Sequence, residues 1–254
     1  MIRHSLLLAL SLASAMSLSA AQSSPAPAPP HQSAEELSFP VTFSYRYLLY
    51  LPEGYRQHRR TKWPLVVFLH GIGERGTDVS LVARQGLPRL LAAGKQFPFL
   101  VVSPQCPPDQ WWDITALDEF VERVTKKYRV DRDRVYLTGL SMGGFGTWAL
   151  AMRHPQRFAA IAPICGGGEA RHAYVLRDLP VWAFHGAKDE IVPLRQSQEM
   201  IAALRDAGAE PRFTIYPEGK HDVWTEAYDN PELYTWLLAQ TRAVRPPPNP
   251  NVRH

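Results

Sequence analysis

Four short segments of this chain are apolar without interruption: residues 65–69, 99–102, 159–162 and 181–184. Continuous apolar runs of this length are typical of strands that are covered on both faces of a parallel sheet. Residues 41–43 and 46–51 instead alternate between apolar and polar positions. That alternation predicts an antiparallel arrangement at one edge of the sheet.

Hydrophobic residues recur at helical spacing between these runs. One stripe consists of Leu117, Phe120, Val121 and Val124. Thr115 and Asp118 predict a capping box where this helix begins. A second stripe covers residues 194–204 and ends before Gly208. The alternation of strands with helices predicts an α/β fold: a doubly wound, mostly parallel sheet with an antiparallel N-terminal edge. In such a sheet the functional site lies beyond the carboxyl ends of the strands.

The segment Gly139-Leu140-Ser141-Met142-Gly143 has the pattern Gly-x-Ser-x-Gly. A β-rich run, residues 134–137, precedes it, and a helix-compatible run, residues 146–152, follows it. In that context the pattern forms a nucleophile elbow, a tight strand-to-helix turn that exposes the serine hydroxyl. We therefore interpret the chain as a serine hydrolase with Ser141 as its nucleophile.

A serine hydroxyl is a poor nucleophile at neutral pH and needs an adjacent base. His221 follows the last predicted strand, and we expect it to accept the proton of Ser141. Asp189 follows an earlier strand and would orient that imidazole. Glu190 is the alternative acid, whereas Asp178 falls before a strand rather than after one. The chain order Ser, Asp, His is the order found in α/β-hydrolases.

Two further histidines have structural interpretations. His70 precedes the glycine-rich turn of residues 71–73, and we expect its side chain to hold that turn rather than to act as the base. His185 is expected to be a packed residue at a strand end. The oxyanion of the reaction needs preorganised donors, and we assign the backbone N–H groups of Ile72 and Met142.

The length of 254 residues fits one folded domain, which we place at residues 39–241. Residues 1–21 are predicted to be a signal peptide, because basic residues precede an apolar run at 6–18 and small residues follow it. The alternative is an uncleaved anchor helix. Residues 22–38 are a Pro/Ser/Ala-rich linker, and residues 242–254 are predicted to be a disordered, Pro-rich tail. The protein is therefore expected to be exported, to the periplasm or beyond, and free of the membrane after cleavage.

The formal charge of +4 is modest, and the lysines and arginines are scattered along the chain. This distribution argues against a nucleic-acid partner. Only two cysteines occur, Cys106 and Cys165, each just after a predicted strand. An exported protein can oxidise such a pair to a disulfide, and the sequence leaves open whether it does. The oligomeric state is also left open.

Several motifs together resemble one family. They are the segments LHGIGERG (69–76), SPQCP (103–107), TGLSMGGFGTW (138–148), APICGGG (162–168) and FHGAKD (184–189). The chain resembles, from about residue 41 to 238, the exported "predicted peptidase" branch of the α/β-hydrolases. That branch is similar to phospholipase/carboxylesterases and to feruloyl and polyhydroxybutyrate-depolymerase-like esterases. The resemblance implies Ser141, Asp189 and His221 as the catalytic triad, esterase activity, and no metal or organic cofactor.

The segment 166–179 is too short for the helical cap that many lipases carry, so we expect an open site. Gln105, Trp111, Trp112 and Trp224 are expected around it, and Gln105, Trp112 and Trp224 are the expected substrate-binding residues. Such a site favours small-molecule or oligomeric esters with short or aryl acyl groups. Glu74 and Arg75 follow the oxyanion turn, and we expect them to pair with each other.

Two other functions remain open at this point. A serine peptidase would use the same three residues, because the triad does not distinguish esters from amides. A carbohydrate- or polyester-binding module that keeps the fold without catalysis is the second alternative. The presence of Ser141, Asp189 and His221 together argues against it.

Overall fold

The computed structural model of the protein describes residues 42–242. The predicted signal peptide (1–21) and linker (22–38) lie outside the described residues, as does the tail beyond residue 242. Of the predicted edge segment 41–43, residue 41 is also outside, and residues 42 and 43 are not in a strand. The antiparallel edge is therefore formed by the second alternating segment alone.

A single seven-stranded sheet organises the described part of the chain. Its strands are β1 (Tyr47–Tyr50), β2 (Trp63–Leu69), β3 (Leu100–Pro104), β4 (Val130–Leu140), β5 (Ala160–Ile164), β6 (Trp182–Gly186) and β7 (Arg212–Tyr216). They lie in the order β1-β3-β2-β4-β5-β6-β7, with β1 antiparallel to β3 and every other neighbouring pair parallel. The predicted α/β fold, with its mostly parallel sheet and antiparallel N-terminal edge, is confirmed.

Helices cover both faces of this sheet. They are α1 (Gly86–Ala92), α2 (Ile114–Lys127), α3 (Met142–Arg153), α4 (Arg195–Asp206), α5 (Trp224–Asp229) and α6 (Pro231–Ala239). Successive residues of β2 are buried on opposite faces: Leu65 and Leu69 pack with α2, α3 and α4, whereas Phe68 packs with α1, α5 and α6. This two-sided burial is the physical reason for the uninterrupted apolar runs. No helix among residues 42–242 is long and apolar enough to cross a membrane.

Helix α2 begins differently from the sequence prediction. Its N-cap is Asp113, whose carboxylate accepts a hydrogen bond from the N–H of Ala116 at 2.9 Å. The predicted cap, Thr115, is already inside the first turn and exposed. Asp118 instead lies close to Arg157, at 2.9 Å, so the predicted capping box is wrong.

This difference in capping can be tested through stability. We expect Asp113→Ala to lower the free energy of unfolding by about 1 kcal/mol, because it leaves an amide N–H of the first turn without an acceptor. The matched change Thr115→Ala should cost less than about 0.5 kcal/mol, since the hydroxyl caps nothing. Urea unfolding of the two variants measures this difference, and equal losses would contradict the assignment of the cap.

Candidate active site

The site is organised by the turn between β4 and α3. Ser141 occupies this turn with φ 52° and ψ −118°, a left-handed conformation that is costly for a residue with a side chain. Its N–H donates to the carbonyl of Ile164 at 2.9 Å, and its own carbonyl accepts from the N–H of Phe145 at 3.1 Å. These bonds fix the backbone while the side chain projects beyond the sheet.

Two glycines allow the turn to pack this tightly. A Cβ atom at Gly143 would collide with the backbone carbonyl of Leu69, and one at Gly139 would collide with the carbonyl of Gly143. Both obstacles are backbone atoms of the sheet and the turn, so neither can move aside like a flexible side chain. The Gly-x-Ser-x-Gly pattern thus has a steric cause in this fold.

Three strand-end loops bring together the serine, the histidine and the acid. The Oγ of Ser141 lies 2.9 Å from Nε2 of His221, and Nδ1 of His221 lies 2.8 Å from Oδ2 of Asp189. Ser141 follows β4, Asp189 follows β6, and His221 follows β7. The alternative acid, Glu190, is exposed and makes no hydrogen bond or ion pair in the described part of the chain. The geometry therefore selects Asp189 as the partner of His221.

Asp189 is held by more groups than His221 alone. Its side chain is fully buried, and Oδ1 accepts from the N–H groups of Ile191 and Val192 at 2.9 and 2.8 Å. Nε2 of His185 approaches Oδ2 at 3.2 Å, and the thiol sulfur of Cys165 lies within 4.8 Å of the carboxylate. Neither contact was predicted from the sequence. The sequence contained a signal for each, because Cys165 directly follows β5 and His185 lies near the end of β6, the neighbouring strand that Asp189 follows.

The oxyanion turn after β2 is built around His70. Its ring Nδ1 lies 2.6 Å from the carbonyl of Gly71, and its Nε2 accepts the N–H of Cys106 at 2.9 Å. Burial lowers the pKa of His70 to about 4, so the ring stays neutral and its Nδ1–H can donate to Gly71. The expected structural role of His70 matches this geometry.

Ile72 and Met142 are the first residues of a 3₁₀-helix (Ile72–Glu74) and of α3. The N–H of a first helical residue has no acceptor one turn earlier, so both amides can donate a hydrogen bond to an oxygen atom outside the helix. The N–H of Gly71 is already used, since it donates to the carboxylate of Glu74 at 3.1 Å. Burial raises the pKa of that carboxyl.

The expected ion pair between Glu74 and Arg75 is absent among the described contacts. Glu74 binds the Gly71 amide, as above, whereas the Arg75 guanidinium donates to the carbonyl of Ile72 at 3.2 Å and to that of Gln110 at 3.1 Å. Arg75 thus connects the oxyanion turn to the loop after β3. The partners of Arg75 are therefore backbone carbonyls, which are fixed in place, and not the Glu74 carboxylate that was expected.

Of the expected substrate-binding residues, the structure places two behind the site. Gln105 is 3% exposed and donates to the carbonyls of Glu74 and Asp78, and Trp112 is 6% exposed and donates to the carbonyl of His70. Their N–H groups hold backbone carbonyls of the oxyanion turn and of the residues around it, and both side chains are buried. Some side chains at a strand end point toward the site and others point into the protein. Sequence position alone does not indicate which direction a given side chain takes.

Other aromatic side chains do line the edge of the site. The ring of Trp224 lies edge-on to His221, with centroids 5.1 Å apart, and its indole N–H donates to Gln85. Trp111 is 60% exposed and meets Phe145, in the first turn of α3, at 6.2 Å. Residues 166–179 contain a short 3₁₀-helix, Ala170–Leu176, which packs on α4.

The two cysteines are free, buried thiols, so the structure gives no disulfide between them. Cys165, Asp189 and His221 form the one group of potential metal ligands found among residues 42–242. Asp189 and His221 already bond each other there, and burial raises the pKa of the Cys165 thiol. A neutral thiol is a poor ligand, since metals bind the thiolate, and this donor set does not call for a metal.

A separate cavity of about 410 Å³ lies at the opposite end of α3. It is lined by residues such as Glu122, Arg132, Arg153 and Arg242. Arg153 ends the helix that Met142 begins, so this cavity is about 16 Å from the serine by helix length. It takes no part in the chemistry of Ser141.

Comparison with known proteins agrees with the fold. Residues 112–231 match the model of the dienelactone hydrolase family. A crystal structure of a thermostable esterase superposes with a TM-score of 0.68 at 36% identity, covering 77% of this chain and 59% of that one.

Two relatives have names that combine two enzyme activities. The chain is 28% identical over 135 residues to a bifunctional acetylxylan esterase/xylanase of Neocallimastix patriciarum, covering 49% of this chain and 19% of that protein. It is 27% identical over 196 residues to an endo-1,4-beta-xylanase/feruloyl esterase of Xylanibacter ruminicola, covering 70% of this chain and 27% of that protein. The chain therefore spans about a quarter or less of the length of these two relatives.

The sheet order, the strand-to-helix turn at Ser141 and the arrangement of strand-end loops define an α/β-hydrolase. Within that class, residues 112–231 match the dienelactone hydrolase family model, and the chain is similar to a thermostable esterase.

Proposed function

We propose that the protein is a serine carboxylic-ester hydrolase that works through an acyl-enzyme on Ser141. The observation that carries this proposal is the continuous contact from Ser141 Oγ through the imidazole of His221 to the buried carboxylate of Asp189, at 2.9 and 2.8 Å. The similarity to a thermostable esterase at 36% identity supports the ester as the bond attacked.

In the first half of the reaction, Ser141 Oγ attacks the ester carbonyl carbon while His221 Nε2 accepts the hydroxyl proton. Asp189 holds the imidazole with its Nδ1 protonated and stabilises the imidazolium that forms. His221 then returns the proton to the departing alcohol. In the second half a water molecule repeats the attack on the acyl group and releases the acid.

The tetrahedral intermediates carry a negative oxygen. We assign its stabilisation to the N–H groups of Ile72 and Met142, the two unpaired helix-start amides that flank Ser141 in the fold. His70, Trp112 and Gln105 support the first of these amides from behind, through their hydrogen bonds to the turn. Such donors are effective because they are fixed before the charge develops.

The substrate we propose is a small-molecule or oligomeric ester with a short or aryl acyl group. Exposed apolar side chains surround the site: Ile72 is 50% exposed, Trp111 60% and Ile191 72%. The flat ring of Trp111 can stack on an aromatic acid, and the two isoleucines offer apolar surface to a short acyl chain. The segment 166–179 has only one short 3₁₀-helix with which to cover a longer chain.

Export to the periplasm or beyond is also part of the proposal. It rests on the basic residues Arg3 and His4, the apolar run 6–18 and the small residues 19–21, which form the pattern of a signal peptide.

The nucleophile is tested by Ser141→Ala. We expect kcat for p-nitrophenyl esters to fall on the order of 10⁴-fold or more, because only the oxyanion donors and binding contacts would remain. Thermal unfolding of the variant should match that of the native protein, since the side chain is at the surface of the turn. Retention of native kcat would reject the acyl-enzyme mechanism.

The acid is tested by a matched pair of amide substitutions. Asp189→Asn should lower kcat by roughly 10⁴-fold, because the amide favours the wrong tautomer of His221. Glu190→Gln should leave kcat nearly unchanged, since that neighbour is exposed and bonds nothing in the site. Steady-state kinetics on both variants test which carboxylate orients His221, and a reversal of the two effects would assign that role to Glu190.

Substrate size is tested with p-nitrophenyl esters of increasing acyl length. Each methylene that becomes buried contributes about 0.8 kcal/mol, or about fourfold in kcat/KM. We expect kcat/KM to stop rising after a few carbons, because further carbons lie in water, and to show no increase when the substrate forms micelles. A steady rise through long acyl chains, or activation at the micelle threshold, would contradict an open site.

A further inference from the structure

His185 lies directly behind the candidate acid and is fully buried at the end of β6. Its two ring nitrogens face different groups. Nδ1 is 2.7 Å from the hydroxyl oxygen of Ser197, which itself lies 2.8 Å from the carbonyl of Gly166. Nε2 is 2.8 Å from the carbonyl of Val192 and 3.2 Å from Oδ2 of Asp189.

The partners of Nε2 determine where the ring carries its proton. A backbone carbonyl and an ionised carboxylate only accept hydrogen bonds, so Nε2 must be the protonated nitrogen. Burial lowers the pKa of His185, which keeps the ring neutral and leaves Nδ1 as an acceptor. The hydroxyl of Ser197 has one hydrogen, which it can donate to Nδ1 or to the carbonyl of Gly166; with Nε2 protonated, that hydrogen is the one that Nδ1 accepts.

We propose that His185 is a positioning residue for the reaction, acting on the candidate acid and not on the substrate. Its Nε2 bonds the carbonyl of Val192 at 2.8 Å and lies 3.2 Å from Oδ2, the oxygen that receives Nδ1–H of His221. The other oxygen is held by the amides of residues 191 and 192. The buried imidazole thus packs against the carboxylate from behind and favours the orientation that faces His221.

This contact also changes the charge that Asp189 presents to His221. The partial positive charge on the His185 Nε2–H, which lies 3.2 Å from Oδ2, offsets part of the carboxylate charge. Loss of the His185 ring should therefore strengthen the attraction of Asp189 for the imidazolium that forms on His221. The titratable groups that face this carboxylate are His221, His185 and the Cys165 thiol, with Asp222 close by. The thiol stays neutral because burial raises its pKa.

Two substitutions of His185 distinguish the roles of its two ring nitrogens. The expected effects on kinetics rest on the proposed serine mechanism. The amide of asparagine can occupy the position of Nδ1 and cannot reach Asp189, whereas the amide of glutamine can occupy the position of Nε2. We expect His185→Asn to lower kcat by about tenfold with KM changed less than about threefold, the pattern of a loss in the transition state. The pH at which kcat/KM falls on the acidic side of its profile (the acidic limb) should rise by about half a unit, because His221 must be neutral to act as base.

His185→Gln should restore most of kcat and the native acidic limb. Ser197→Ala is the control for packing, since it removes the partner of Nδ1 and leaves the contact with Asp189 in place. It should keep the native acidic limb. An unchanged limb in His185→Asn, or an equal displacement in His185→Asn and Ser197→Ala, would overturn the positioning role.

The tautomer can be measured in the unsubstituted protein, so the proposal does not depend on every variant folding. Long-range ¹H–¹⁵N correlation spectra of the imidazole rings should show His185 neutral and protonated at Nε2. A neutral ring protonated at Nδ1 could not donate to Asp189 and would overturn the inference. These spectra are independent of the proposed function, whose own failure would appear as full activity in Ser141→Ala.

Discussion

The left-handed backbone at Ser141, with φ 52° and ψ −118°, is stable only because the sheet and α3 surround it closely. Gly143 packs against the carbonyl of Leu69 at the end of β2, and Gly139 packs against the carbonyl of Gly143. The same approach places the end of β2, and therefore the oxyanion turn that follows it, beside the serine. One steric constraint thus aligns the hydroxyl with the amides expected to stabilise the oxyanion.

A second layer of buried polar contacts supports the groups that face the substrate. His70, Trp112 and Gln105 bond backbone atoms of the oxyanion turn, and His185 lies 3.2 Å from the carboxylate of Asp189. Each of these side chains is buried, and its N–H groups or ring nitrogens face fixed partners. Burial makes such bonds strong and keeps His70 and His185 neutral, so they orient the site without competing with His221 for protons.

Local pattern was enough to predict the sheet, the turn at Ser141, and the order of Ser141, Asp189 and His221, because each depends on short-range chemistry and strand position. Local pattern did not predict features that depend on the direction in which a particular side chain points. Thr115 and Asp113 are both plausible caps two residues apart, and only the path of the chain before α2 selects Asp113. Trp111 and Trp112 are adjacent in sequence, yet one is 60% exposed and the other 6%. The contact of His185 with Asp189 depends on how the loop after β6 folds back, which no local pattern specifies.

The central claim is that Ser141 is the one activated nucleophile of this protein. A fluorophosphonate reacts with such a serine by forming a phosphorus–oxygen bond to Oγ as its phosphorus–fluorine bond breaks, with fluoride and the hydroxyl proton released, and peptide mapping by mass spectrometry locates the adduct. The account predicts one adduct per chain, on the peptide that contains Ser141, formed in step with the loss of esterase activity. Labelling elsewhere, on Cys165 or on another serine, or full activity in protein labelled at Ser141, would contradict it.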